Sequence, residues 1–198
     1  MSFGFQPFDL REKFEATQRN LPHWHQPGAT YFVTFRLADS LPVAVLERLE
    51  ELQRVNAQEG FEWVERYLDA GSGDCILSNQ AHAKTVETAL LHFDGVRYDL
   101  GVYAFMPNHV HVLVQPLEPA TLSSVMQSWK SYTAHQINKR DCRTGILWQT
   151  ESFDRIVRDD VELRKFDAYI MANPGAAGLR PATFRLGRGS ATWLELSP

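Results

Sequence analysis

Met106-Pro107-Asn108-His109-Val110-His111-Val112-Leu113-Val114 is the stretch on which the fold turns. Val102, Tyr103, Ala104 and Phe105 lead into it, and Val110, Val112, Leu113 and Val114 carry it onward. These residues are β-branched, aromatic or aliphatic, whereas Pro107-Asn108 is turn chemistry. The pattern predicts two antiparallel strands joined at the Pro-Asn turn. Alternate side chains of a strand leave opposite faces, so His109 and His111 emerge on one face and Val110 and Val112 on the other, toward a core. Two neutral imidazoles side by side on a strand can share one divalent cation; the plain alternative is a pair of half-buried histidines bonded to backbone.

Working outward, Gly28 opens a strand over Ala29 to Leu37, rich in Tyr, Phe, Val and Thr. Ser40-Leu41-Pro42 opens a helix with Val45, Leu46, Leu49, Leu52 and Val55 at three- and four-residue spacing. A short helix is expected over Phe61 to Leu68 and a further one over Gln80 to Phe93, with Val86, Leu90 and Phe93 inward. Asp94-Gly95 then turns the chain into a strand over Arg97 to Phe105.

After the histidine strand, Thr121 or a neighbouring serine caps a helix to about Asn138, with Leu122, Val125, Met126 and Trp129 inward. Arg143 to Ser152 reads as loop anchored by Trp148. Asp159 with Glu162 has the form of a capping box opening a last helix, in which Leu163, Phe166 and Ile170 face the core and which Pro174 and Gly175 stop. The organisation expected is one domain over 1–198, with an N-terminal arm at 1–27 and a C-terminal tail at 181–198 that reads as mobile until Ala191. The arm holds a second alternating pair, His23-Trp24-His25, between prolines and without a strand pattern, which disfavours a metal site there; Trp24 is an anchor or a stacking platform.

Composition narrows the class. Apolar content of 44% and charged content of 22% are those of a globular domain. No apolar run reaches the length of a membrane span, and the first residues lack the basic start and apolar core of an export signal, so a cytoplasmic protein with no membrane partner is expected. Cys75 and Cys142 read as ordinary thiols. The net charge of −4 hides an asymmetry: residues 1–126 hold 9 Lys/Arg against 16 Asp/Glu, and residues 127–198 hold 11 against 8. Cations of the second half, Lys130, Lys139, Arg140, Arg143, Arg155, Arg158, Arg164 and Lys165, can gather into a phosphate-binding face or remain solvated helix surface.

The histidine stretch resembles the HUH nuclease signature, His-hydrophobic-His on a central strand, in the form found in REP-associated tyrosine transposases and related single-tyrosine transposases. Further matches are Tyr31-Phe-Val-Thr-Phe35, Ser128-Trp-Lys-Ser-Tyr-Thr-Ala134, Trp148-Gln149, Phe153-Asp154-Arg155, Tyr169-Ile-Met-Ala-Asn-Pro174 and Gly178-Leu179. They follow the family's order over roughly residues 28 to 180. The chain departs from the pattern at Gly175-Ala176-Ala177 and at Glu151-Ser152. Element order and resemblance together imply an α+β fold, a ferredoxin-like antiparallel sheet with helices on one face.

The resemblance implies a metal-dependent single-strand DNA endonuclease and strand transferase acting on single-stranded or hairpin DNA through a 5′-phosphotyrosine intermediate. His109 and His111 would hold a divalent metal, Mg²⁺ or Mn²⁺. Two tyrosines compete for the role of nucleophile. Tyr169 has Asn173 at i+4, whose amide oxygen can complete the metal site, and Tyr132 has Gln136 at i+4 but follows Trp129 on an apolar face, where a core tyrosine is the plainer reading. The family pattern favours Tyr169. Lys130, Arg155 and Arg158 are the expected DNA contacts. Single-tyrosine relatives can share active sites between two subunits, so a homodimer stands beside a monomer. Two other readings compete: a hairpin-DNA-binding module that does not cut, and a histidine-triad nucleotide hydrolase, which would need a histidine where the chain has Leu113.

Overall fold

The Pro-Asn turn forms where the sequence predicts it. Met106 N–H donates to the His109 carbonyl across 2.9 Å, closing a hairpin between β4 (Tyr98–Phe105) and β5 (His109–Pro116). Both strands are buried along their whole length, which is why they read as nearly continuous apolar runs. A computed structural model describes residues 4–9, 11, 12, 14–18, 22–46, 48 and 57–194.

Before the hairpin come β1 (Glu15–Gln18), β2 (Pro22–His25), β3 (Tyr31–Arg36), α1 (Ala57–Asp69) and α2 (Gln80–His92). After it come α3 (Leu122–Arg140), β6 (Phe153–Ile156), α4 (Asp160–Ala176) and β7 (Arg185–Arg188). The main sheet is antiparallel, in the order β6-β3-β5-β4-β7, so the histidine strand is its centre. The expected α+β antiparallel sheet is present. Its helices, however, cover both faces rather than one. Val33, Phe35, Val110, Val112 and Val114 pack with Val86 and Leu90 of α2 and Val125, Met126 and Trp129 of α3. Phe32, Val102, Ala104 and Leu113 pack on the other side with Leu163 and Ile170 of α4 and with Trp193. The three central strands, β3, β4 and β5, alternate between the two cores, and both faces of the sheet are covered there.

Several elements differ from the expectation. Helical backbone begins at Val43, but Leu49, Leu52 and Val55 lie outside the described residues. His23-Trp24-His25 does form a strand, β2, paired with β1 in a small separate hairpin. Beyond the loop at Arg143 to Ser152, β6 pairs with β3 and becomes one edge of the sheet. The tail is no mobile segment: β7 pairs with β4 from Val102↔Arg188 to Phe105↔Arg185. Gly187 permits this approach, since a Cβ there would lie 2.2 Å from the Tyr103 hydroxyl.

The helix caps follow local chemistry. Thr121 and Ser124 form a reciprocal box at the start of α3. Asp159 accepts from the Glu162 backbone N–H at 2.7 Å, but Glu162 does not return the bond; its carboxylate takes the Arg158 N–H and the Arg155 guanidinium instead. Pro174 does not stop α4, which continues to Ala176.

Candidate active site

His109 and His111 are fully buried on the α4 side of the sheet, and their Nε2 atoms stand 2.9 Å apart. The outer nitrogens are tied down. His109 Nδ1 meets Asn108 Oδ1 at 2.8 Å, and the Asn108 amide in turn donates to the Ser72 carbonyl at 2.9 Å. That second bond orients the amide, so its oxygen must accept from His109 Nδ1–H, leaving the Nε2 lone pair facing His111. His111 Nδ1 meets Thr34 Oγ1 at 2.8 Å on the neighbouring strand, where Thr34 and His111 are register partners. Burial, and then the nearby His111, hold His109 well below the ordinary imidazole pKa, so it is neutral near neutral pH.

His111 Nε2 can meet that lone pair by donating its own N–H or by sharing a cation with it. Two buried imidazole nitrogens this close are a donor pair suited to a metal. The third component comes from α1. Glu65 is 6% exposed, and its Oε2 lies 3.1 Å from His111 Nε2. Glu65, His109 and His111 are the group that can hold a metal ion among the described residues. Asp69, one turn along α1, is pushed up to about 6 by burial and then by the charge of Glu65.

Tyr169 enters from α4. Its ring meets His111 edge-on, with centroids 5.4 Å apart, and its hydroxyl donates to Glu65 Oε2 across 2.5 Å. Burial, followed by the Glu65 charge, raises its pKa far above that of free phenol; the Asn173 side chain acts in the opposite sense. Asn173 is itself 3% exposed, and its Oδ1 is buried without a hydrogen-bond partner. One chain therefore brings together the histidines, Tyr169 and Asn173 named from the sequence.

The competing tyrosine lies elsewhere. Tyr132 is no core residue: it is 48% exposed, in a groove between α2 and α3 that also holds Lys84, Lys139 and Arg140. Lys84 belongs to the acidic half of the chain, so charge counted along the sequence does not sort into two faces of the molecule. Of the expected DNA contacts, Lys130 sits across the sheet from the histidines, its ammonium donating to the Gln149 and Thr150 carbonyls at 3.0 Å each. Arg155 is on the histidine face but paired with Glu162 at 2.5 Å. Arg158 is exposed just before α4.

Sequence reading missed Glu65, Asp69, Asn108 and Thr34. Thr34 and Asn108 lay inside quoted motifs without a role. Glu65 and Asp69 are spaced i, i+4 on a helix that also carries Val64 and Leu68, so an acidic pair beside an apolar stripe was the available signal.

No helix among the described residues is long and apolar enough to cross a membrane. No curated protein matches the chain. A structure described as a REP-associated tyrosine transposase bound to a REP hairpin superposes with a TM-score of 0.52 at 16% identity, covering 80% of this chain and 73% of that one. At that identity the likeness establishes the fold. Residues 78–173, which contain both histidines, Tyr169 and Asn173, match the family described as IS200-like transposases.

Proposed function

We propose that the protein is a metal-dependent single-strand DNA endonuclease and strand transferase acting on hairpin or REP-like DNA. The single observation that carries this is the Tyr169 hydroxyl within one carboxylate of the paired His109 and His111 Nε2 atoms, all in one chain. His109 and His111 would hold Mg²⁺ or Mn²⁺, with Asn173 completing the set through its unpartnered Oδ1. A divalent cation in such a site neutralises charge that builds on the phosphate oxygens.

Tyr169 supplies the nucleophile. Its oxygen forms a bond to phosphorus while the bond to the 3′ oxygen breaks, leaving a 5′-phosphotyrosine and a free 3′-hydroxyl. The phenolic proton has an acceptor in place, Glu65 Oε2. The phosphotyrosine conserves the energy of the cut bond, so joining to a second 3′-hydroxyl needs no nucleotide cofactor. Arg155 and Arg158 flank the start of the tyrosine helix and serve as phosphate contacts; Lys130 acts by holding the Gln149-Thr150 loop behind the β6 edge.

The test is incubation with labelled hairpin oligonucleotides from DNA flanking the gene, with Mg²⁺, Mn²⁺ or EDTA. A metal-dependent covalent protein–DNA band is expected. Hairpin binding without that band would leave a non-cutting binding module.

A further inference from the structure

We propose that α1 supplies Glu65 as a protein ligand to the cation held by His109 and His111, and that binding of this cation seats α1 on the sheet. The inference rests on the metal reading above and extends it to a helix that the sequence resemblance did not implicate. Helix α1 is not built into either sheet core. Its Val64 and Leu68 pack with Leu41, flanked by Val45, Leu46 and Trp63, in a small cluster apart from the two large ones. What α1 presents to the sheet is polar. Glu65 Oε2 reaches His111 and Tyr169, while Glu65 Oε1 and Asp69 Oδ1 are buried with no hydrogen-bond partner.

Among the described residues no lysine or arginine forms an ion pair with either carboxylate, and His111 Nε2, 3.1 Å from Glu65 Oε2, is the basic group that faces them. Burying one carboxylate beside a second opposes docking unless a cation compensates. Two imidazoles and a carboxylate form a donor set suited to a divalent cation. Because Oε1 is unpartnered, Glu65 can offer one oxygen to the metal and keep the other on Tyr169.

The C-terminal end of α1 is anchored independently. The Asp74 N–H donates to Asp39 Oδ2 at 2.8 Å, and the Ser72 carbonyl accepts from Asn108 at 2.9 Å. At Gly73 a Cβ would lie 2.6 Å from the Asp39 carbonyl oxygen, so this junction is close-packed. A helix fixed at one end and bearing two carboxylates with buried, unpartnered oxygens along its inner face is placed to respond to the cation.

The experiment follows Mn²⁺ binding to the full chain by calorimetry and backbone hydrogen exchange of residues 57–69 by mass spectrometry, with and without Mn²⁺. The forms compared are wild type, Glu65→Gln, Tyr132→Phe and His109→Ala, each first checked for an unchanged urea unfolding transition in EDTA. Wild type should bind Mn²⁺ and gain protection over 57–69. Glu65→Gln should bind at least about tenfold more weakly, a loss already typical of removing an outer-shell partner, and its 57–69 segment should no longer respond. Tyr132→Phe, in the groove between α2 and α3 away from the histidines, should keep the metal-dependent protection. Wild-type affinity in Glu65→Gln, or equal protection of 57–69 with and without Mn²⁺, would overturn the proposal while leaving the nuclease reading intact. Absence of Mn²⁺ binding by wild type would overturn both.

Discussion

The Tyr169 hydroxyl donates to Glu65 Oε2 across 2.5 Å although 104 residues separate the two. The bond joins α4 to α1, helices that lie on opposite sides of the histidine strand in the sequence. It also identifies which tyrosine shares a site with the histidines.

Tyr169→Phe should abolish the covalent DNA adduct and leave hairpin binding nearly unchanged, because one oxygen is lost from a ring that still packs on Phe32 and His111. Tyr132→Phe should form the adduct normally. Denaturing gels of labelled hairpin after incubation with each variant distinguish the two; loss of the adduct in Tyr132→Phe alone would reverse the assignment.

Asn108→Ala should weaken Mn²⁺ binding roughly 10- to 100-fold, since the asparagine fixes the tautomer of His109 without touching the metal. His109→Ala and His111→Ala should lose cleavage altogether, and Mn²⁺ should support more cleavage than Ca²⁺. Calorimetry and cleavage assays on the same preparations check these outcomes. Full activity in EDTA would remove metal from the reading.

Much of this site was legible because its signals are local. Alternation along a strand placed His109 and His111 on one face, and helical spacing aligned Tyr169 with Asn173. Glu65 was not legible, since a carboxylate on a surface-like helix acquires its role only when α1 folds back over β5. The edge strands escaped for a similar reason. Arg185-Leu-Gly-Arg188 has little strand character by itself, and only the β4 ladder and the glycine beneath Tyr103 make it a strand. Charge asymmetry along the chain misled, because Lys84 meets Lys139 and Arg140 across a helix pair.

A mixing experiment addresses whether the site works within one chain. Tyr169 and both histidines meet in a single subunit, so equimolar Tyr169→Phe and His109→Ala should form no adduct when combined. Recovery of about a quarter or more of wild-type adduct would mean that the tyrosine acts on a neighbouring subunit's histidines.

Asp69 gives a pH signature. Its folded-state pKa, about 6, lies above the ordinary value of 3.8, so between these values the folded protein binds the proton more tightly than the unfolded chain. Its contribution to stability is present below about pH 4 and is lost as pH rises through about 6. In EDTA, the urea midpoint of wild type should fall relative to Asp69→Asn across that window. Parallel profiles would show that Asp69 is not buried against Glu65.

Tyr98→Phe tests the opposite core. The Tyr98 hydroxyl donates to the Leu90 carbonyl at 2.8 Å and accepts from Trp129 Nε1 at 2.9 Å, joining α2 and α3 to the sheet. Removing it leaves a buried indole N–H and a carbonyl unpaired, which should cost about 1–3 kcal/mol in urea unfolding. A change of DNA cleavage without this loss of stability would contradict a purely structural role.

The two outermost strands, β6 and β7, are only four residues long. An open ladder invites a neighbouring molecule to continue it, and brevity and charge at the rim are the common deterrents. Here Arg185 pairs with Glu87 at 3.0 Å and Arg188 with Asp167 at 2.8 Å, so one rim is charged as well as short. Self-association by strand addition, and the fibre growth that can follow from it, is thereby discouraged.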